Sequence, residues 1–155
     1  MIVTATLSTG ISRVTNGLSE SVSLIEDVLN IEHVDWETIL LVGDHEFYTT
    51  PEGPVPNSQF RVSVRPSLGI AALNHTDHDR ADLPNVNSYN PIHLGRPAEL
   101  IFSGTTGMVF PPGSAITIES AYVALIEWLQ TFQRPACVQW RPSSPNYPRW
   151  PTRDS

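Results

Sequence analysis

Two segments with helical periodicity are separated by several short segments in which apolar and polar residues alternate, which restricts the chain to folds that combine helices with a sheet. The clearer helical segment runs from Ile118 to Phe132, between a capping residue, Thr117, and a helix-breaking proline, Pro135. The other runs from Ser19 to Ile31, with Ser19 as the predicted N-cap. We therefore expect two main helices.

Short runs of β-branched or alternating apolar residues predict the strands. These runs are Ile2 to Leu7, Thr38 to Val42, Phe60 to Arg65, Ile70 to Leu73, Ala98 to Phe102, Met108 to Phe110 and Ala136 to Arg141. Asp44 to Thr49 is a further candidate strand, paired with Thr38 to Val42 across a tight turn at Gly43. Pro66 to Gly69 forms the turn of a hairpin. The predicted fold class is α+β, with a mostly antiparallel sheet of about five to seven strands packed by two main helices.

The chain is predicted to form one domain followed by a tail. Its 155 residues, of which 40% are hydrophobic, suit a single core, and we assign residues 1–141 to this domain. Residues 142–155 carry a proline at every third position from Pro142 to Pro151, so we expect a flexible or extended tail. Asn74 to Pro97 is polar without a clear period, which predicts a long loop that is either functional or disordered.

The net charge of −7 is concentrated in the N-terminal third. Residues 1–52 contain nine acidic residues and one arginine, which gives this segment a charge of −8. The negative electrostatic field of this segment argues against direct nucleic-acid binding, which needs a basic surface. It favours a basic partner, because opposite fields speed encounter. The alternative interpretation is that the acidic residues keep a small domain in solution.

Residues with metal-ligand chemistry cluster once, from His75 to Asp79, and His93 is the nearest further histidine. No third histidine or cysteine stands at a recognised spacing, so a solvated loop is favoured over a metal site. A small metal-binding protein or hydrolase that uses His75, His78 and His93 remains the alternative function. Nucleophile-elbow and phosphate-loop motifs are missing from the sequence, and Cys137 is predicted to be a small core residue in a strand. We expect no enzymatic activity, no catalytic residue, no metal and no cofactor.

The N-terminal residues show no signal-peptide pattern, because a basic region and a long apolar run are both missing. No stretch of the sequence approaches the roughly 18 consecutive apolar residues of a membrane helix. We therefore expect a cytoplasmic protein that does not contact membranes.

Several stretches between about residues 58 and 141 resemble one family of bacterial proteins. They are Phe110 to Glu119 with its Pro-Pro-Gly-Ser turn, Trp128 to Thr131, Arg134 to Trp140 with its Arg-Pro-x-Cys-Val-x-Trp pattern, Phe60 to Val64 and Gly69 to Leu73. The chain resembles an actinobacterial immunity-protein family, the first-numbered immunity type of polymorphic toxin systems. Because the shared residues look structural, contacts with a partner should come from loops.

The resemblance implies a protein that neutralises a deaminase toxin by one-to-one binding over its active site. Such toxins act on nucleic-acid bases through a zinc-bound water and need a basic channel, which suits an acidic inhibitor. The predicted partner-binding residues are Asp35, Asp44, Glu46, His75, Asp77, Asp79, Asp82 and Tyr89. The acidic residues would pair with arginines or lysines of the toxin, and Tyr89 would be an anchor. A structural subunit that self-associates through a helix face is a third alternative.

Overall fold

A computed structural model describes residues 1–44, 58–92, 99–104 and 106–143. The elements in chain order are β1 (Ile2–Thr6), β2 (Ser12–Asn16), α1 (Leu18–Val28), β3 (Thr38–Gly43), β4 (Ser58–Arg65), β5 (Ile70–Asp77), β6 (Asn85–Tyr89), β7 (Ile101–Ser103), β8 (Met108–Val109), β9 (Ile116–Thr117), α2 (Ile118–Thr131) and β10 (Gln139–Pro142). A short 3-10 turn, Pro66–Leu68, joins β4 to β5.

In the described parts of the chain, eight strands form one sheet in the order β10-β6-β5-β4-β3-β1-β2, and β9 pairs with β5 outside this path. All pairings in this sheet are antiparallel. The strands β7 and β8 form a separate antiparallel pair. The predicted α+β class, with two helices and a mostly antiparallel sheet, is confirmed.

The main core lies between the two helices and one face of the sheet. Alternate residues of β4, namely Phe60, Val62 and Val64, are fully buried there, because successive side chains of a strand point to opposite faces. The ring of Trp128, from α2, meets the ring of Phe60 edge-on at a centroid distance of 4.8 Å. The apolar side chains that the helical periodicity of α2 predicts therefore pack against those that the alternation of β4 predicts, in one cluster.

A second apolar cluster includes residues from the opposite face of the sheet. It contains Ile70 and Ala72 of β5 together with Leu100, Phe102, Phe110 and Ala115 from the segment that carries β7 and β8. The neighbouring β5 residues Ala71 and Leu73 belong to the main core. β5 thus contributes to an apolar cluster on each of its faces.

The clearest predicted elements are confirmed. Thr117 caps α2, and its Oγ1 accepts a hydrogen bond from the backbone amide of Ser120 at 3.0 Å. The β4–β5 hairpin turns at Gly69, whose φ of +70° suits a residue without a Cβ. The predicted cap at Ser19 is wrong, because α1 begins one residue earlier and Gly17 holds the N-cap position without a side-chain hydrogen bond.

Three strands occur where the sequence did not predict them. β2 and the two-residue β9 were not expected, and β6 lies within Asn74 to Pro97, which was predicted to be a loop. In β2 and β6, polar side chains occupy buried positions. Thr15 in β2 hydrogen-bonds Ser21 at 2.9 Å between their hydroxyl oxygens, and Asn74 donates to the Oδ1 of Asn87 in β6 at 2.8 Å. Paired polar groups can be buried without an apolar pattern that would reveal the strand.

Other predictions fall partly outside the described residues. Of the candidate strand Asp44 to Thr49, the structure describes Asp44 alone, and β3 already has β1 on one side and β4 on the other. The predicted tail begins within β10, since Pro142 is paired with Val86, and residues 144–155 are not described. Neither of the two described helices has the length and apolar character needed to cross a membrane.

Candidate partner-binding surface

The strand register distributes the predicted partner-binding residues over two ends of the sheet. Ser58 pairs with Asp77, and Leu41 pairs with Gln59, so the C-terminal ends of β3 and β5 lie at the same end. We call this the loop end; it carries Asp44, Asp77, Asp79 and Asp82. Asp35 precedes β3, and Tyr89 ends β6, so both lie towards the opposite end. Glu46 lies outside the described residues.

His75 is buried beneath the loop end, with no exposed surface. Its Nδ1 accepts a hydrogen bond from the Nε–H of Arg134 at 3.0 Å, so the ring is neutral and carries its proton on Nε2. Nε2 lies 2.9 Å from the hydroxyl of Ser58. Burial and the nearby Arg134 charge lower the pKa of His75 to about 4. His75 therefore supports the loop from below, and in this conformation it cannot itself touch a partner.

The geometry around His75 also bears on the metal-binding alternative. Both ring nitrogens already contact protein groups, while His78 is exposed and His93 is not described. Across the ranges that the structure describes, no group of three histidine, cysteine, aspartate or glutamate side chains could hold a metal ion. A metal at His75 would require the contacts with Ser58 and Arg134 to break.

The connection between β5 and β6 carries charges of both signs. Asp77 Oδ1 accepts the backbone amide of Asp79 at 3.0 Å, which stabilises the turn. Arg80 lies beside Asp82, with 4.0 Å between Nη2 and Oδ1. Arg134 reaches the carbonyl of Pro84 at 3.5 Å. The loop end therefore offers exposed carboxylates beside two guanidinium groups, and it is not a uniformly acidic patch.

A cleft of about 450 Å³ opens at the opposite end, on the sheet face away from the helices. The turn after β1 forms one wall, and the other lining residues are Trp36, Glu37, Ile39, Arg61 and Ser103. We call this the Trp36 cleft. The sequence patterns did not predict this cleft, because Glu37 is one of nine acidic residues in the N-terminal segment and Trp36 belongs to no motif. The available signal was an aromatic residue between two acidic ones, in the order Asp35, Trp36, Glu37.

Trp36 stands at the rim of this cleft with 46% of its surface exposed. Its position is fixed from behind by Gly104, where an added Cβ would overlap the indole ring and the backbone oxygen of Asp35. The indole N–H of Trp36 has no hydrogen-bond partner among the described residues. A large, half-exposed aromatic ring held by a close backbone contact is a typical anchor in protein interfaces.

Glu37 lies deeper in the cleft and is only 7% exposed. Its Oε2 lies 3.5 Å from Nη1 of Arg61, and its Oε1 accepts the amide of Gly104, also at 3.5 Å. Burial raises the pKa of Glu37, and Arg61 offsets part of this effect. The Arg61 guanidinium also lies over the ring of Phe102, with 5.3 Å between its central carbon and the ring centroid. Glu37 is thus a buried carboxylate with long hydrogen bonds.

Tyr89 borders a smaller cavity of about 220 Å³, which Cys137 and Gln139 also line. The Arg141 guanidinium stacks on the Tyr89 ring, with 4.7 Å between its central carbon and the ring centroid. Cys137 is exposed, so its prediction as a core residue is wrong. It precedes β10, and partial desolvation of its thiol together with the nearby Glu127 raises its pKa.

Comparison with known families identifies the kind of protein that carries these features. The model of one family of immunity proteins matches the chain over residues 15–142, from β2 to β10. The chain therefore belongs to the Imm1 immunity protein family. A search of curated proteins gives no match. The matched region contains both the loop end and the residues at the base of the Trp36 cleft, whereas β1 precedes it.

Proposed function

We propose that this protein is the immunity partner of a bacterial deaminase toxin, which it binds one-to-one and inhibits by covering the active site. The observation that carries this proposal is the match to the Imm1 family over most of the chain. The protein would act in the cytoplasm of the cell that makes the toxin, as part of a polymorphic toxin system. Binding alone explains the inhibition, so no catalytic residue is needed.

The charge distribution supports a partner with a basic cleft. Residues 1–52 carry a charge of −8, and a deaminase that acts on nucleic acid needs positive charge along its substrate channel. Opposite charges speed association and favour the correct orientation. The mixed charges of the β5–β6 connection suit pairing with both acidic and basic groups at the border of such a channel.

We assign the first contacts to acidic residues at the loop end, of which Asp77 is partly buried and the others are exposed. Asp77, Asp79 and Asp82 lie on one connection, and Asp44 follows β3 at the same end of the sheet. Asp35 and Tyr89 belong to a second contact region at the other end. Glu46 stays in the proposed set on its charge alone. His75 acts as a support for the loop, because it has no exposed surface.

The experiment is co-purification with the deaminase domain encoded beside the gene, followed by titration of deaminase activity. A one-to-one complex whose activity disappears at equimolar ratio is the expected result. Lack of binding to that domain would overturn the proposal. Metal found in the purified protein, together with lack of binding, would instead favour the alternative that uses His75, His78 and His93.

A further inference from the structure

The Trp36 cleft brings together two features that can recognise a ligand. One is a carboxylate, Glu37, that is buried to more than nine-tenths. The other is the half-exposed ring of Trp36, which adjoins it along the chain. Both line the same open space of about 450 Å³, which is large enough for a long side chain.

The hydrogen bonds of Glu37 leave it poorly compensated. Its two contacts with described groups other than its own backbone are both 3.5 Å long, at the outer limit for a hydrogen bond. A carboxylate removed from water usually needs short, charge-assisted contacts, because its desolvation is costly. Each Glu37 oxygen therefore retains capacity to accept a stronger hydrogen bond.

Arg61 does not supply a short, charge-assisted hydrogen bond to the Glu37 carboxylate. Its guanidinium stacks over Phe102 and reaches only Oε2 of Glu37, at 3.5 Å. Among the described residues other than Glu37 itself, the Gly104 amide alone donates to Oε1, at 3.5 Å. A second cation in the cleft could approach Oε1 while Arg61 stays on Phe102.

We propose that the Trp36 cleft receives one guanidinium group, the side chain of an arginine on the partner, which stacks on Trp36 and pairs with Glu37. A planar guanidinium fits both contacts, because it can lie flat on an aromatic ring and donate to a carboxylate in its own plane. The acidic charge of the N-terminal third, to which Asp35, Trp36 and Glu37 belong, favours a cation over an anion. This inference rests on the proposed function only in assigning the arginine to a toxin.

The first test needs no toxin. Full-length protein labelled with ¹⁵N is titrated with N-acetyl-arginine methylamide, and the indole N–H signal of Trp36 is followed by NMR. Parallel titrations use the lysine and glutamate analogues. One stacking contact and one ionic contact correspond to dissociation constants of about 1–100 mM, so the titration must reach the upper part of this range. The indole signal of buried Trp128, in the main core, serves as the internal control.

We expect a saturable shift of the Trp36 signal with the arginine compound and a smaller response to lysine. Glu37→Gln should weaken arginine binding about tenfold, as expected for loss of one charge-assisted hydrogen bond. Glu26→Gln, which removes the same charge from an exposed position of α1 outside the cleft lining, is the matched control and should change affinity little. The three wild-type titrations decide the question even if Glu37→Gln does not fold.

Other results would overturn the inference. Absence of a saturable shift would show that the cleft does not take arginine. A stronger response to the glutamate compound would assign recognition to Arg61, and equal responses to arginine and lysine would remove the role of the planar group. Toxin inhibition without arginine binding would refute this inference alone, whereas arginine binding without inhibition of any deaminase would refute the proposed function alone.

Discussion

The Nε–H of Arg134 donates a hydrogen bond to Nδ1 of His75 across 3.0 Å, and this contact ties the segment after α2 to the end of β5. The second nitrogen of the same ring lies 2.9 Å from the hydroxyl of Ser58, at the start of β4. One neutral imidazole therefore links three segments beneath the loop end. Its protonation state should influence both stability and the shape of the loop above it.

The stability of the fold should fall as the pH drops below the usual pKa of histidine. The pKa of His75 is about 4 in the folded protein and near 6.5 in an ordinary environment, so the unfolded chain binds the additional proton first. Its contribution is complete above about pH 6.5 and is lost towards pH 4, by up to about 1.4 kcal/mol per pH unit. The lowered pKa of buried His33 acts in the same direction. Urea unfolding at a series of pH values measures how the free energy of unfolding changes with pH.

Two variants separate the contribution of His75 from that of other groups. His75→Gln should flatten the pH dependence of the free energy of unfolding between about pH 6.5 and 4. His78→Gln, at an exposed position just after β5, is the control and should not flatten it. Glu32 has a pKa lowered to about 2 by the Ser67 amide and Arg65, so its stabilisation is lost only below its usual pKa. Identical slopes in the wild type and His75→Gln would contradict this assignment.

Gly104→Ala should disturb the Trp36 cleft directly. The new methyl group would overlap the Trp36 ring and the Asp35 backbone oxygen, and such overpacking typically costs about 1–3 kcal/mol. We expect a lower unfolding midpoint and a shifted Trp36 indole signal. Ser103→Ala, one residue earlier, is the control, because it removes an atom from the cleft lining and adds no group that would overlap the Trp36 ring. A Trp36 signal unchanged in Gly104→Ala would show that the ring is not held by this contact.

Reversing the charges at Asp77 and Asp79 should weaken toxin binding mainly through slower association. Removal of electrostatic attraction typically lowers association rates about tenfold or more at low salt, and the difference should shrink as salt increases. Stopped-flow mixing with the deaminase domain measures this rate. Reversal at Glu20 and Glu26, exposed on α1, provides a control with the same change in net charge. Unchanged kinetics in the Asp77 and Asp79 variant would remove that loop from the interface.

Phe110→Ala should destabilise the protein about as strongly as a substitution in the main core. Phe110 is 1% exposed, and its ring meets Phe102 edge-on at 5.1 Å between centroids. Truncation of a buried phenylalanine costs about 3–5 kcal/mol. Chemical denaturation measures the loss, with Phe132→Ala, half-exposed at the end of α2, as the control. Equal stability of the two variants would mean that the second cluster contributes little.

Sequence patterns predicted the elements whose buried positions are apolar. The spacing from Ile118 to Phe132 matched α2, and the alternation from Phe60 to Arg65 matched β4. β6 was missed because its buried Asn87 and Ser88 are stabilised by hydrogen bonds to other segments. The hydroxyl of Ser88 donates to the Ser114 carbonyl at 2.7 Å and accepts the Leu73 amide at 3.0 Å. Such pairs depend on residues distant in sequence, which a local pattern does not reveal.

The candidate sites were less predictable than the fold, because they depend on tertiary placement. Acidic side chains at the loop end could be chosen from composition and from the polarity of the Asn74 to Pro97 segment. The Trp36 cleft could not be predicted in this way. It depends on the close contact of Gly104 with Trp36 and on the position of Arg61 over Phe102, and both are tertiary contacts. The burial of His75 follows from contacts with Ser58 and Arg134, which are 17 and 59 residues away in sequence.

β5 has β4 along one edge and β6 and β9 along the other, and it contributes to an apolar cluster on each face, so its amides are shielded from water. Their protons should exchange with deuterium only when the whole domain opens, while those of the edge strands β2 and β10 exchange through smaller fluctuations. The connection that carries Asp79 and Asp82 starts from this slowest-exchanging strand. An incoming partner would therefore meet these carboxylates on a base that keeps the same geometry from one encounter to the next.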